Sequence, residues 1–294
     1  MQGILIIDKP QGWTSFDVIA KLRGILSTRK LGHSGTLDPM ATGVLPVFVG
    51  QSAKAVDLQL DHTKAYRAKV KFGISTDTGD ITGEVLTQSD AAVSEAELMQ
   101  VLPRFEGEQM QLPPMYSAVK INGVPLYKAA RAGKTVERTP RPITVHSIRY
   151  LGQTGENEFE IEVSCSKGTY IRVLAEDIGK ALGCPATLSG LRRIRAGLWG
   201  EEHAVTLQQV QAVRDEQGLD AVQSLLLDTE TVFIPLPLVN VDEPTFKRLL
   251  SGAPTYRFPA EDGRYRVRFE EKFIGLAQVK DRTLKVEKLF CERG

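Results

Sequence analysis

Alternating apolar and polar positions mark several stretches of the chain as strands. Between residues 64 and 72, apolar side chains beginning with Tyr66 fall on one face and basic side chains on the other. Successive side chains of a strand point to opposite faces, so this stretch predicts a half-buried strand. Residues 159–165 alternate in the same way, and residues 3–7 and 44–49 are continuously apolar, as in a buried strand.

Helical spacing appears in other parts of the chain. Apolar positions between residues 18 and 26 follow a three-to-four-residue period behind Thr14 and Ser15, which are candidate N-caps. A capping box at residues 94–97 predicts a helix to about Leu102. Further helices are predicted at residues 53–60, 170–182 and 243–250, and one or two within 206–227. Residues 28–43 contain three glycines and Pro39 and are predicted to form a loop.

The order of these elements predicts an α+β protein with two domains. Residues 1–235 would contain both strands and helices. The Ile-Pro-Leu-Pro segment at 234–237 is a plausible boundary. Beyond it, three strand-like runs and one short helix predict a small β-rich domain at 236–294.

Composition narrows the functional classes. The 294 residues are 42% hydrophobic and 25% charged, which is typical of a globular protein. No apolar run approaches the roughly 20 residues of a membrane span. Three widely spaced cysteines fit neither a disulfide framework nor a zinc ribbon, and the N-terminus lacks the basic region of a signal peptide. We therefore expect a cytoplasmic, cofactor-poor protein.

Charge is unevenly distributed although the formal net charge is only +1. Residues 128–149 contain six basic groups and one acidic group, whereas residues 201–230 contain seven acidic groups and one basic group. Such a division is expected for a surface that faces a polyanion, with a separate solvated surface. Two ordinary solvated faces would give the same counts, so charge alone leaves both interpretations open.

The densest group of candidate chemical residues lies in the segment from Lys30 to Pro39. Gly32 and Gly35 allow close approach of the backbone to a ligand, and Pro39 disfavours a helical conformation at Asp38. A carboxylate on a stiffened loop, near a histidine, is one interpretation. The alternative is that Asp38 caps a one-turn helix whose first residue is Pro39. The local pattern does not choose between them.

Three motifs make the chain resemble the TruB family of tRNA pseudouridine synthases. The first comprises residues 12–15 (GWTS) and 32–45 (GHSGTLDPMATGVL). The second is residues 167–172 (KGTYIR), and the third is residues 188–193 (LSGLRR). They occur in the order expected for the family, and the resemblance spans nearly the whole chain.

The resemblance implies a reaction and a substrate. Family members convert uridine 55 in the T loop of tRNA to pseudouridine: the base leaves C1′ of its ribose, rotates and reattaches through C5. No cofactor is used. The fold implied is that of the pseudouridine synthases: a mixed, largely antiparallel sheet with flanking helices in residues 1–235, followed by a PUA-like barrel in 236–294. The basic segment near 123–142 would be an inserted loop that holds the T arm. The closest match is a stand-alone bacterial enzyme, a monomer that requires no protein partner.

The resemblance also assigns roles to individual residues. Asp38 would be the catalytic carboxylate, and Arg172 its ion partner, which would keep it anionic in a dry pocket. Tyr66 would stack on the extruded base, although its place on the apolar face also suits a core tyrosine. Three further residues would contact the substrate, namely His33, Tyr170 and Leu191. The roles of Lys9, Asp77 and Asp80 stay open, and Asp77 or Asp80 would be the family's supporting acidic residue.

Two other functions are compatible with the same features. A non-catalytic RNA-binding or RNA-folding protein could use the scaffold, but binding needs no carboxylate at Asp38. A hydrolase could break the same N-glycosidic bond and release the base. It would often need a second acid or water-activating group, and no second motif clearly supplies one.

Overall fold

A computed structural model describes residues 1–117, 119–121, 123–131, 133 and 136–291. The helices are α1 (Ser15–Ile25), α2 (Glu95–Val101), α3 (Leu126–Arg131), α4 (Ile171–Ala181), α5 (Leu207–Gln217) and α6 (Glu243–Ser251). The strands in the first part of the chain are β1 (Gly3–Lys9), β2 (Leu31–His33), β3 (Thr42–Val49), β4 (Lys64–Phe72), β5 (Ile74–Thr76), β6 (Val85–Gln88), β7 (Gly107–Gln111), β8 (Lys120–Ile121) and β9 (Val124–Pro125). The later strands are β10 (Arg141–Gly155), β11 (Glu158–Cys165), β12 (Ala186–Ala196), β13 (Trp199–Gly200), β14 (Leu238–Asn240), β15 (Thr255–Tyr256), β16 (Gly263–Phe269), β17 (Lys272–Lys280) and β18 (Thr283–Leu289).

The main sheet has the order β1-β3-β12-β4-β11-β10-β7, with β2 beside β3 and β13 beside β12. Its pairings are antiparallel except the short parallel contact between β12 and β3. Helices flank this sheet, so the predicted mixed and largely antiparallel α+β architecture is confirmed. The strand β4, predicted at residues 64–72, lies between β12 and β11. Its apolar face packs into the core as the alternation predicted.

Two helices position the loops that carry the candidate site. Helix α1 begins at a capping box in which Thr14 and Asp17 exchange hydrogen bonds. Helix α4 packs its apolar side chains into the core of the main sheet. A Cβ atom on Gly179 would lie only 2.6 Å from the Cβ of Ala186, so a glycine is needed where α4 crosses β12. This close approach fixes how α4, whose first turn carries Arg172, packs on the sheet.

A separate curled sheet occupies the C-terminal part, with the order β14-β16-β17-β18-β15. It is consistent with the predicted small barrel. The ring of Phe233, which precedes this sheet, packs against Phe273 and Phe290 with centroids 6.0 and 5.6 Å away. One apolar cluster therefore includes side chains from both parts of the chain. The division into 1–235 and 236–294 stays a prediction.

Some local predictions need correction. Residues 31–33, predicted as loop, form β2, because the edge of β3 offers hydrogen-bonding partners. The helix predicted at 53–60 is a 3-10 helix at Gly50–Leu58. The predicted hairpin around Gly123 corresponds to β8 and β9, whereas Asn122 and Lys134 of the basic segment lie outside the described residues. Within the described part of the chain, every helix is too short or too polar to span a bilayer.

Candidate active site

A cavity of about 260 Å³ opens where β4, β12 and the first turn of α4 meet the segment after β2. That volume is small beside the roughly 300–1,000 Å³ of drug-sized ligand pockets. Its lining contains five of the six predicted site residues and several basic groups. The lining includes Gly35, Asp38, Lys64, Tyr66, Ser117, Lys167, Tyr170, Arg172, Leu191 and Arg193.

Asp38 lies in a turn rather than at a helix N-terminus. The backbone N–H of Ala41 donates to the carbonyl of Asp38, and β3 begins at the next residue, Thr42. The helix-cap alternative is therefore excluded. The Asp38 side chain is 35% exposed, and its Oδ2 lies 2.9 Å from Nε of Arg172. The carboxylate thus faces the cavity as one half of an ion pair.

Arg172 is held on three sides. Its Nη1 donates to the carbonyl of Thr78 at 2.6 Å, and its Nη2 donates to the carbonyl of Tyr116 at 2.7 Å. With the side chain only 4% exposed, these contacts fix the plane of the guanidinium and leave Nε for Asp38. The structure therefore brings together the two residues that the sequence paired.

Burial raises the pKa of Asp38 above its ordinary value. The charge of Arg172 opposes this shift, while the nearby carboxylate of Asp80 adds to it. We expected Arg172 to keep Asp38 anionic. Its charge does lower the pKa of Asp38, but desolvation disfavours the charged form and has the larger effect.

The structure distinguishes the two acidic residues of the polar turn. Asp80 is 5% exposed and interacts with the charge of Asp38. Its Oδ1 accepts hydrogen bonds from Thr78 Oγ1 and from the backbone N–H of Thr82 at 3.1 and 3.0 Å. Asp77 is exposed, and its carboxylate accepts from the N–H of Glu84. Asp80 is therefore the acidic neighbour of the site.

Tyr66 lies on β4 directly opposite Arg193 of β12. Arg193 is 1% exposed; its Nε and Nη2 donate to the carbonyls of Val44 and Gly35 at 2.7 and 3.0 Å, and the guanidinium also hydrogen-bonds the Tyr66 side chain. Burial raises the pKa of Tyr66, so its hydroxyl stays protonated at neutral pH. The phenol therefore lines the cavity in a fixed orientation.

Tyr170 and Leu191 both line the cavity, from the residue before α4 and from β12. The buried amide of Gln111 fixes the backbone of Tyr170: Oε1 accepts from the Tyr170 N–H at 2.8 Å, and Nε2 donates to its carbonyl at 3.1 Å. Leu191 packs against the core of the main sheet. The two side chains give the cavity apolar walls.

His33 does not line this cavity. It ends β2, paired with Val47 of β3, and its buried Nδ1 has no hydrogen-bond partner among the described residues. Burial, assisted by the charge of Arg193, lowers its pKa, so the imidazole is neutral at physiological pH. Its predicted contact with RNA stays a prediction.

Comparison with known proteins identifies the family. Residues 23–171 match the family model "TruB family pseudouridylate synthase (N terminal domain)", and residues 172–233 match "tRNA pseudouridylate synthase B C-terminal domain". The chain belongs to the TruB family. It is therefore a pseudouridine synthase, an isomerase, and the resemblance read from the three motifs is confirmed.

Relatives of the family match along almost the whole chain. The tRNA pseudouridine synthase B of Pseudomonas fluorescens is 42% identical over 96% of this chain and 92% of its own length. That of Dechloromonas aromatica is 43% identical over 95% and 91%. A chain in the crystal structure of a Cbf5-Nop10-Gar1 complex is 28% identical, with a TM-score of 0.73, over 99% of this chain and 85% of that one.

In this TruB-family chain, Lys9 has a structural place. Its amine is fully buried and donates to the carbonyls of Trp13, Pro10 and Pro39, at 2.6, 3.0 and 3.4 Å. It therefore ties the end of β1 to the turn that carries Asp38. Burial lowers the pKa of Lys9 to about 8.

Sequence reasoning missed two cations of the cavity, Lys64 and Arg193. Both signals were in the chain. Lys64 shares the strand face of Tyr66, two residues away, and Arg193 shares that of Leu191. A basic residue on the buried face of a strand is unusual, because a charge is rarely buried without a function or a partner.

Proposed function

We propose that the protein isomerises uridine 55 in the T loop of tRNA to pseudouridine. In this reaction the N1–C1′ bond breaks and a C5–C1′ bond forms. The C5 proton leaves to water, and N1 regains a proton. The relatives named tRNA pseudouridine synthase B support tRNA as the substrate, and the motifs that resemble the family support the position.

One observation carries the proposal: the Asp38 carboxylate, paired with Arg172, lies in the lining of a cavity beside Tyr66. Cleavage of an N-glycosidic bond develops positive charge at C1′, which a nearby carboxylate stabilises or traps. Arg172 orients that carboxylate and limits its protonation. Asp38 is accordingly the proposed catalytic residue.

The remaining walls suit an extruded base. An enzyme that acts on a base within a folded RNA must remove it from its stack and replace the lost stacking. Aromatic faces do so at roughly 1–3 kcal/mol per base. Tyr66 is the proposed platform, with Tyr170 and Leu191 as the pocket walls, and we propose the Tyr66 hydroxyl as a participant in proton transfer.

The wider contacts follow from the same proposal. His33 would contact the RNA near the extruded nucleotide, and the basic segment near 123–142 would bind phosphates of the T arm. The C-terminal domain, 236–294, would act as a PUA-like RNA-binding module beside the catalytic domain, 1–235. We propose a monomer that acts in the cytoplasm without a protein partner or a cofactor.

Tritium release tests the reaction. Uridine labelled at C5 in a T-stem-loop RNA loses tritium to water only when a bond forms at C5. We expect release by the wild type and none by Asp38→Asn, which keeps the size of the side chain but removes its charge. Asp90→Asn is the matched control, since Asp90 is an exposed carboxylate outside the cavity.

The alternatives predict different products. Free uracil without tritium release would indicate a hydrolase. Tight binding of the RNA by the wild type, with neither product formed, would indicate a passive RNA-binding protein and would refute the proposal.

A further inference from the structure

Lys64 is a buried cation in the cavity to which the proposed reaction gives no task. It is the first residue of β4 and lies on the same strand face as Tyr66. The residue is 6% exposed, yet it lines the cavity. A Cβ atom on Gly35 would lie 3.6 Å from Cε of Lys64, so the lysine packs against the segment that leads to Asp38.

The amine of Lys64 has unused hydrogen-bonding capacity. Three backbone carbonyls accept hydrogen bonds from the other strongly buried lysine, Lys9. Among the described residues, none accepts a hydrogen bond from Lys64 and none forms an ion pair with it. An ammonium group can donate three hydrogen bonds, and leaving them unmade in a buried site is costly. Because Lys64 lines the cavity, a ligand that enters can accept these hydrogen bonds without displacing a protein partner.

The groups that face Lys64 favour an anion. Arg193, Lys167 and the Cys165 thiol surround it, and Asp61 is the acidic group whose charge reaches it. The Asp61 carboxylate already accepts a hydrogen bond from the N–H of Thr63 at 2.8 Å. Burial, and next the charge of Arg193, lowers the pKa of Lys64 to about 8. An anion bound here would reverse that shift.

A nucleotide that enters the cavity brings its own anion. The sugar–base junction would meet Asp38, which leaves the phosphodiester groups on either side of the ribose to be neutralised. Lys167 is an exposed basic residue at the same cavity, so two amines are available on this side. A lysine amine binds phosphate as a point charge, without strict geometry. A uracil carbonyl would not require a second cation.

We propose that Lys64 binds a phosphodiester oxygen adjacent to the target uridine and so fixes its ribose against Asp38. The inference rests on the proposed function, because it assumes an RNA nucleotide in the cavity. Lys64 is a substrate-binding residue in this scheme, and the bond it makes is an ion pair that forms only when RNA is bound.

A chemical double-mutant cycle tests the contact. T-stem-loop RNAs carry one uncharged methylphosphonate, either 5′ or 3′ of the target uridine, and are assayed with wild type and Lys64→Met. We expect Lys64→Met to raise KM for normal RNA roughly tenfold with a much smaller change in kcat, as for loss of one charge-assisted hydrogen bond. The methylphosphonate at the contacted linkage should weaken the wild type similarly and the variant little. Lys69→Met, on the exposed face of β4, is the matched control.

Three outcomes would overturn the assignment. In the first, the free-energy effects of Lys64→Met and of the methylphosphonate are additive at both linkages, which means that the two groups do not interact. In the second, Lys64→Met lowers kcat with KM unchanged. In the third, Lys64→Arg fails to restore KM. The same cycle is measured by equilibrium binding in the Asp38→Asn background, where no turnover occurs. Absence of tritium release by the wild type would refute the proposed function, whereas additive binding effects would refute only the role of Lys64.

The wild type supplies a test that needs no lysine variant, in case Lys64→Met does not fold. Because the amine loses its proton near pH 8 in the free protein, affinity for normal RNA should fall between pH 7.0 and 8.5. The RNA with a methylphosphonate at the contacted linkage should lose part of this dependence. Identical pH dependence for all three RNAs would overturn the proposal.

Discussion

The ion pair between Asp38 and Arg172 makes a prediction about pH. Asp38 must be ionised to stabilise charge at C1′, so kcat/KM should fall as pH falls through its pKa. Arg172→Met removes the charge that lowers this pKa. The pKa of Asp38 should therefore rise further, and the acid limb of the profile should move to higher pH.

The size of the shift follows from the geometry. Unit charges about 4 Å apart interact by about 4 kcal/mol at an effective dielectric constant of about 20, or about 3 pK units. The Asp38 side chain is 35% exposed, so solvent screens part of this interaction. We expect a shift of about 1–2 units. Arg172→Met also leaves the carbonyls of Thr78 and Tyr116 without their donors, so the plateau should fall as well.

Asp80→Asn gives a shift of opposite sign. The charge of Asp80 raises the pKa of Asp38, so its removal should move the acid limb to lower pH. The amide oxygen of asparagine can still accept the hydrogen bonds from Thr78 and Thr82. Asp77→Asn, in the same turn but exposed, should leave the limb in place.

The assay is tritium release from T-stem-loop RNA between pH 5 and 8.5, with kcat/KM measured at each pH. Two variants that move one limb in opposite directions cannot both be explained by loss of folding. The reasoning is refuted if Arg172→Met lowers the rate equally at every pH with an unmoved limb, or if both variants shift it in the same direction.

Two further predictions concern stability. The Glu230 side chain is 8% exposed and pairs with Arg266 and Arg268 of the C-terminal sheet at 2.9 and 2.6 Å. Glu230→Ala should clearly lower the free energy of unfolding in urea, because it leaves two partly exposed guanidinium groups without their buried carboxylate partner. Water screens the exposed pair of Glu243 and Lys247, so Glu243→Ala should lower the free energy of unfolding much less, and equal losses would contradict this account. A Cβ atom added to Gly43, where φ is +99°, would overlap the carbonyl of Arg193. At Gly183, φ is +68° and no heavy atom would lie within 4 Å of the added Cβ. Gly43→Ala should therefore be far more destabilising than Gly183→Ala, and similar melting temperatures for the two variants would contradict this expectation.

Strand β4 shows where sequence reasoning succeeds. Its predicted limits, 64 and 72, are those of the structure, because one face meets the core and the other meets solvent. A period of two then appears directly in the sequence. The predicted N-cap at Thr14 and the predicted capping box at Ser94 are confirmed for a similar reason, since their hydrogen bonds join residues three apart.

Strand β12 shows where it fails. Gly190, Arg192 and Arg193 interrupt any apolar alternation, so the segment was recognised only as a motif. Arg193 is buried because carbonyls of Val44 and Gly35, some 150 residues earlier in the chain, accept its hydrogen bonds. Such compensation is invisible without the fold. The sequence could not distinguish Asp77 from Asp80 for the same reason. Both lie in one polar turn, and only the fold shows that Asp80 is buried and Asp77 exposed.

The three buried cations of the cavity, Arg172, Arg193 and Lys64, differ in their partners. Arg172 is matched by Asp38 and two carbonyls, and Arg193 is matched by two carbonyls and the Tyr66 hydroxyl. Each arginine therefore donates its hydrogen bonds within the protein, and each orients one side chain of the site, Asp38 or Tyr66. Lys64 is buried as well, yet it donates no hydrogen bond to the described residues. A cation whose hydrogen bonds are all made within the protein can orient a neighbouring side chain. A cation in a cavity without such partners is available to a ligand. In the proposed complex, the phosphates of the RNA supply the negative charge that Lys64 lacks.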